Sequence, residues 1–130
     1  MIKCKPDLML VAAMLIGAAL NQVSAAQDIR SIKNKTPEQR AQLQTSLLKS
    51  KLKLDTLVIV KLQAINLKYA QKMEPIIKGD EGKLKKYRAV IAIQKAKDAE
   101  LRKLFSAEQY RQYQKLEDEL KDKIRHHMKN

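Results

Sequence analysis

Asp55-Thr56-Leu57-Val58-Ile59-Val60-Lys61-Leu62-Gln63-Ala64-Ile65-Asn66-Leu67-Lys68-Tyr69-Ala70-Gln71-Lys72-Met73 carries two apolar series at helical spacing. At about 100° per residue, Val58, Leu62, Ile65, Tyr69 and Met73 fall in one stripe, while Leu57, Val60, Ala64 and Leu67 fall nearly opposite. Asp55 supplies the cap for such a helix, and Pro75 is expected to kink or stop it soon after Met73. A helix with two apolar faces has two things to bury against. One is its own chain, and the other is a partner subunit or a bound client.

On its N-terminal side, Thr36-Pro37-Glu38-Gln39 reads as an earlier helix start. Thr36 caps, Pro37 suits the first helical position where no N–H is needed, and Gln39 returns a hydrogen bond. Leu43, Leu47 and Leu54 follow at helical spacing, which predicts a helix to about Lys51. On the other side, Gly79-Asp80-Glu81-Gly82 is a turn signal. A third helix is expected over Lys83 to Leu104, with Leu84, Tyr87, Val90, Ile91, Leu101 and Leu104 in a broad apolar arc. Ser106-Ala107-Glu108-Gln109 is a second capping box, opening a fourth helix striped by Gln109, Tyr113, Leu116, Leu120 and Ile124. No segment alternates with period two over strand length. The expected fold is all-α, a long helical hairpin of about four helices.

The chain opens with Met1-Ile2-Lys3-Cys4-Lys5, runs apolar from Leu8 to Leu20 and reaches Val23-Ser24-Ala25-Ala26. A basic start, a short apolar run and small residues before a cut are the parts of an export signal over residues 1–26. The run is shorter than the roughly 20 apolar residues that a spanning helix needs. The expected protein is thus exported, with the periplasm of a Gram-negative bacterium as its place and no transmembrane segment in the mature chain. Residues 27–35 read as a flexible arm, and residues 36–130 as one helical domain.

Losing the signal lowers Lys plus Arg from 27 to 25 and Asp plus Glu from 14 to 13. The mature net charge is then about +12. A domain of roughly 100 residues has a modest core, so pairing into a homodimer would help it. Cys4 is the only cysteine and leaves with the signal, so no disulfide is expected. Beyond the signal, glycine is confined to Gly79 and Gly82, which leaves no material for a phosphate-cradling loop. No cofactor is expected.

Phe105-Ser106-Ala107-Glu108-Gln109 resembles the Leu-Thr-x-x-Gln motif of the Spy and CpxP family of periplasmic stress proteins. Thr36-Pro37-Glu38-Gln39-Arg40 is similar to the same motif without its leading Leu. The order of elements, with Ala64-Ile65-Asn66-Leu67-Lys68-Tyr69-Ala70 before a charged turn, a long helix and the second motif, also resembles small helical members of that family. The resemblance implies a thin helical hairpin that pairs into a curved, cradle-shaped dimer and holds unfolded proteins without ATP.

The residues offer such a surface independently. Lys61, Lys68 and Lys72 flank the stripe containing Ile65, and Arg88, Lys95 and Arg102 repeat every seven residues beside Leu84 and Ile91. Basic heads would attract acidic segments while their methylene stems cover apolar groups. The bland reading of the same residues is a solvated face of a charged helix. Thr36, Gln39, Ser106 and Gln109 read first as caps. The partners to consider are unfolded or partly folded proteins, a second copy of the chain and a stress-sensor domain. Nucleic acid is not expected, because the basic residues are spread over several helices with few aromatics for stacking.

The alternative is metal sensing or buffering near the end of the chain. Adjacent His126 and His127 point about 100° apart and do not converge, although Asp118, Asp122 and His126 share a face at steps of four. Lys121, Lys123 and Arg125 would oppose a cation there, so Asp122, His126 and His127 are weak metal candidates. Catalysis is not expected, since no nucleophile with a base, no His-Glu-x-x-His helix and no paired carboxylates stand out.

Overall fold

The computed structural model describes residues 34–129. The export signal expected over 1–26 and residues 27–33 of the expected arm lie outside them. Four helices follow one another: α1 (Pro37–Lys51), α2 (Thr56–Lys78), α3 (Lys83–Leu104) and α4 (Ala107–Lys129). Among the described residues there is no strand, and the chain is all-α.

Both capping boxes close. The Thr36 hydroxyl accepts from the Gln39 backbone N–H at 3.2 Å, and the Thr36 N–H donates to Gln39 Oε1 at 2.9 Å. Ser106 and Gln109 repeat the exchange at 3.1 and 3.0 Å. Asp55 caps α2 by accepting from the Val58 N–H at 2.9 Å. These bonds satisfy N–H groups that a helix start leaves without partners.

Gln109 does more than its sequence position announces. Its Nε2 also donates to the Lys53 carbonyl at 2.9 Å, which ties the start of α4 to the connection between α1 and α2. Among the described residues Gln39 has only the local exchange. Gln109→Ala is therefore expected to cost about 2 kcal/mol and Gln39→Ala about 1 kcal/mol. Equal losses in denaturant unfolding would mean that the bond to Lys53 adds nothing.

The expectation that Pro75 kinks or stops α2 near Met73 is corrected in one respect: the helix continues through Pro75 to Lys78. Proline removes one N–H and crowds the preceding turn, a cost of about 3 kcal/mol in a helix interior. Ile76 and Ile77 lie beyond it and pack on the core, and their burial offsets that cost. The helix ends instead at Gly79, where a Cβ would come within 2.7 Å of the Pro75 carbonyl oxygen. No side chain fits that approach of backbone to backbone.

The core has two parts. Leu48 and Leu52, Leu62, Leu101 and Phe105, and Tyr113 bring all four helices together at one end. Phe105 and Tyr113 meet with ring centroids 5.8 Å apart. At the other end Ala41, Ala70, Met73 and Val90 join α1, α2 and α3, with Leu67, Ile76, Ile77 and Ile93 packed around them. Ala41 and Ala70 are fully buried, and their small side chains let α1 and α2 approach closely. The first stripe of α2 thus faces inward, with Leu62, Tyr69 and Met73 buried and Val58 and Ile65 partly so. The opposite stripe divides: Leu57, Val60 and Ala64 are exposed, whereas Leu67 packs on the second cluster.

Candidate functional site

The outer surface holds the residues that sequence reasoning singled out, in two environments. Lys61, Arg88, Lys95 and Arg102 are exposed. Arg102 lies over the Tyr110 ring, its guanidinium carbon 5.6 Å from the centroid. Ile91 is exposed as well, and with Leu84 and Tyr87 it forms a line along α3 at steps of three and four, these three being 37, 63 and 36% exposed respectively. On α2, Leu57 and Val60 are 74 and 63% exposed and stand beside Lys61.

Lys68, Lys72 and Ile65 are placed differently. Lys68 donates to Glu100 Oε1 at 2.7 Å, bridging α2 to α3. Its ammonium and that of Lys72 lie 5.0 and 5.2 Å from the centre of the buried Tyr69 ring. The hydrogen bonds from Lys68 and then Tyr69 hold the Glu100 carboxyl below its usual range. Burial and then the hydrogen bond to Glu100 push the Tyr69 hydroxyl up to about 12. Ile65 is half-buried against the first core cluster. These three residues therefore knit α2 into the fold, with lysine heads at its surface. Sequence phase alone places them beside the stripe and says nothing of Glu100, because that partner depends on how α2 and α3 are aligned.

The interior contains polar groups that sequence reasoning missed. Lys97 is buried, and its ammonium donates to Gln44 Oε1 of α1 at 2.8 Å. Burial pulls the amine down to about 8, partly opposed by the charge of Glu117 on α4. Glu117 accepts from the Tyr113 hydroxyl at 2.8 Å, and burial raises its carboxyl. A signal was present: Val90, Lys97, Leu101 and Leu104 follow at steps of seven, four and three, so Lys97 falls on the inward face of α3. Asn66 of α2 donates to the Thr45 hydroxyl at 3.0 Å, which in turn donates to the Ala41 carbonyl at 2.9 Å.

Arg40 is buried between α1 and α2. It donates to the carboxylate of Glu74 and, at 2.6 Å, to the Lys35 carbonyl. This second bond anchors the last residue of the expected arm. Lys78 reaches the other oxygen of Glu74 at 2.7 Å. Burial alone would raise the Glu74 carboxyl, but the hydrogen bonds from Lys78 and Arg40 win and hold it below its ordinary range.

At the other end of α4, Asp118, Asp122 and His126 are exposed, and the His127 side chain lies outside the described residues. Among the described residues no three His, Cys, Asp or Glu side chains gather as ligands would. No helix among them is long and apolar enough to cross a membrane.

The described residues form a small, basic bundle of four helices with apolar side chains left outside beside lysines and arginines. Compared with protein-family models, with curated proteins and with solved structures, the chain matches none.

Proposed function

We propose that this chain is an exported protein that holds unfolded or partly folded polypeptides without nucleotide, metal or catalysis. The observation that carries the reading is the exposure of Leu57 and Val60 on α2 and of Leu84 and Ile91 on α3, next to Lys61, Arg88 and Lys95. Scattered single apolar residues are ordinary on a protein surface, but lines of them rimmed by charge mark interaction sites. The apolar groups supply capture, and the basic heads draw in acidic stretches of a client. The resemblance of the two capping motifs to the Spy and CpxP family supports the same reading. Binding of this kind is weak and broad, since a surface open to many clients is not closely complementary to one.

Light scattering from an aggregating, chemically unfolded client tests it. Added protein is expected to suppress aggregation near equimolar ratio in the absence of ATP. Lys61→Glu with Lys95→Glu is expected to lose most of that suppression while helicity stays unchanged, because both side chains are exposed and have no ion-pair partner among the described residues. Since Debye screening shortens to about 3 Å at 1 M salt, high salt should reproduce the loss. Full suppression by the doubly reversed variant would remove the basic residues from the account, and no suppression by the unaltered chain would end the proposal.

A further inference from the structure

We propose that the first half of α3 is a membrane-docking ridge that lays Leu84, Tyr87 and Ile91 into the headgroup region of an anionic phospholipid bilayer. The three side chains stand in one line, spanning about 10 Å of helix at 1.5 Å per residue. All three are exposed, whereas Val90 and Ile93 on another face of the same turns pack into the core. The helix is thus already formed and fixed, and no ordering cost attends its contact with a flat surface.

Charge identifies the occupant. From Lys83 to Lys97 the sequence contains no Asp or Glu, while Lys83, Lys85, Lys86, Arg88 and Lys95 all precede the buried Lys97. Only Lys85 has an ion-pair partner among the described residues, Glu81 at 3.0 Å, and that pair is exposed. At about 100° per residue, Arg88, Lys95 and Lys85 lie on one side of the apolar line and Lys83 on the other, whereas Lys86 shares the phase of Val90 and Ile93 and is partly buried. Basic residues on both flanks of a narrow apolar stripe suit a helix lying in the plane of negatively charged headgroups. Lysine stems reach sideways to phosphates, and the Tyr87 ring has an apolar body and a polar tip suited to the boundary. The stripe is a ridge on one helix, so it fits a continuous surface without requiring a groove.

This inference reassigns Leu84, Ile91, Arg88 and Lys95 from the client-holding surface to a bilayer, and it stands on the charge and line of α3 alone, so it survives if client holding fails. Leu57 and Val60 lie at the opposite end of the α2–α3 hairpin from Leu84, because α2 runs back along α3 from the turn between Lys78 and Lys83. The chain contains no tryptophan, so a single introduced one reports its own location in the full chain, whatever else the chain touches. Tyr87→Trp is expected to show a blue-shifted, quencher-protected emission with vesicles of phosphatidylglycerol and phosphatidylcholine, and no change with phosphatidylcholine alone. Leu43→Trp, an exposed reporter on α1, is expected to stay unprotected. Adding Arg88→Gln or Lys95→Gln to Tyr87→Trp should weaken the response about fivefold per charge removed. An unchanged Tyr87→Trp spectrum with anionic vesicles overturns the proposal. So does a response to polyglutamate or to an unfolded client without one to vesicles, which would make the ridge a protein-binding face.

Discussion

Glu74→Ala is expected to destabilise the protein by about 3 to 5 kcal/mol, because it leaves the Arg40 guanidinium buried without its counter-charge. The Arg40 side chain is only 1% exposed, and its Nε already has no hydrogen-bond partner among the described residues. Its remaining contact, the Lys35 carbonyl, cannot neutralise it. Water would have to enter between α1 and α2, or the start of α1 would have to open. Replacing both partners by apolar residues, Arg40→Met with Glu74→Leu, should recover much of the loss, since desolvating the pair consumes most of its attraction. Denaturant unfolding of Arg40→Met, Glu74→Leu and the double variant measures this as a coupling energy. A loss below about 1 kcal/mol for Glu74→Ala would mean that the pair is solvated in solution. The pH dependence has a definite sign. A carboxyl held below its unfolded value contributes stability that is present above that value and is lost as pH falls through the folded one. Acid should therefore weaken the unaltered chain, and the double variant should lack that part of the weakening.

Lys97→Met is the opposite case, a substitution expected to stabilise by on the order of 3 kcal/mol at pH 7. The folded amine titrates at about 8 against an ordinary 10.5, so near neutral pH the fold carries an ammonium that it would hold more easily uncharged. Methionine is unbranched and one atom shorter and removes the charge, although the lost bond to Gln44 offsets some of the gain. A group whose folded pKa is depressed in this way is a base, so the unfolded state binds more protons between about 8 and 10.5, and stability rises with pH across that window. Above about 10 the rise should reverse. Burial and carboxylate neighbours push Tyr69 and Tyr110 up to about 12, so the folded state then keeps protons that the unfolded state gives up. Thermal unfolding from pH 7 to 11 should show a maximum near 10 for the unaltered chain and no alkaline rise for Lys97→Met. A methionine variant less stable than its parent at pH 7 would show that the Gln44 and Glu117 contacts outweigh the burial of the charge.

These two sites also show where a sequence stops being legible. The helices could be read because their ends are local chemistry: Thr36 with Gln39, Asp55 with Val58, and Ser106 with Gln109 each make bonds within one turn. Likewise the bounds of α3 follow from a glycine turn at one end and a capping box at the other. The continuation of α2 through Pro75 was not legible, because it depends on where Ile76 and Ile77 pack. Lys97 and Arg40 hide for another reason. Their charge says surface, while their phase, shared with Val90 and Leu101 and with Gln44 and Leu48, says interior. Phase was the better guide at both. For the outer surface, phase found the exposed Arg88, Ile91, Lys95 and Arg102 but could not foresee that Glu100 engages Lys68, since that requires the alignment of two helices.

Among the described residues the most extensive packing joins helices adjacent in the chain: α1 against α2 and α2 against α3, with the start of α4 folded back on the end of α3. Each antiparallel pair closes through a connection of a few residues, so little chain entropy is spent before contacts form. Such a topology places the protein among fast folders, with relaxation in microseconds to milliseconds. Its contacts also differ in their reach along the chain. The α1–α2 hairpin needs no residue beyond Lys78, whereas the tie from Gln109 to Lys53 joins residues 56 apart in the sequence and closes a ring through α2 and α3.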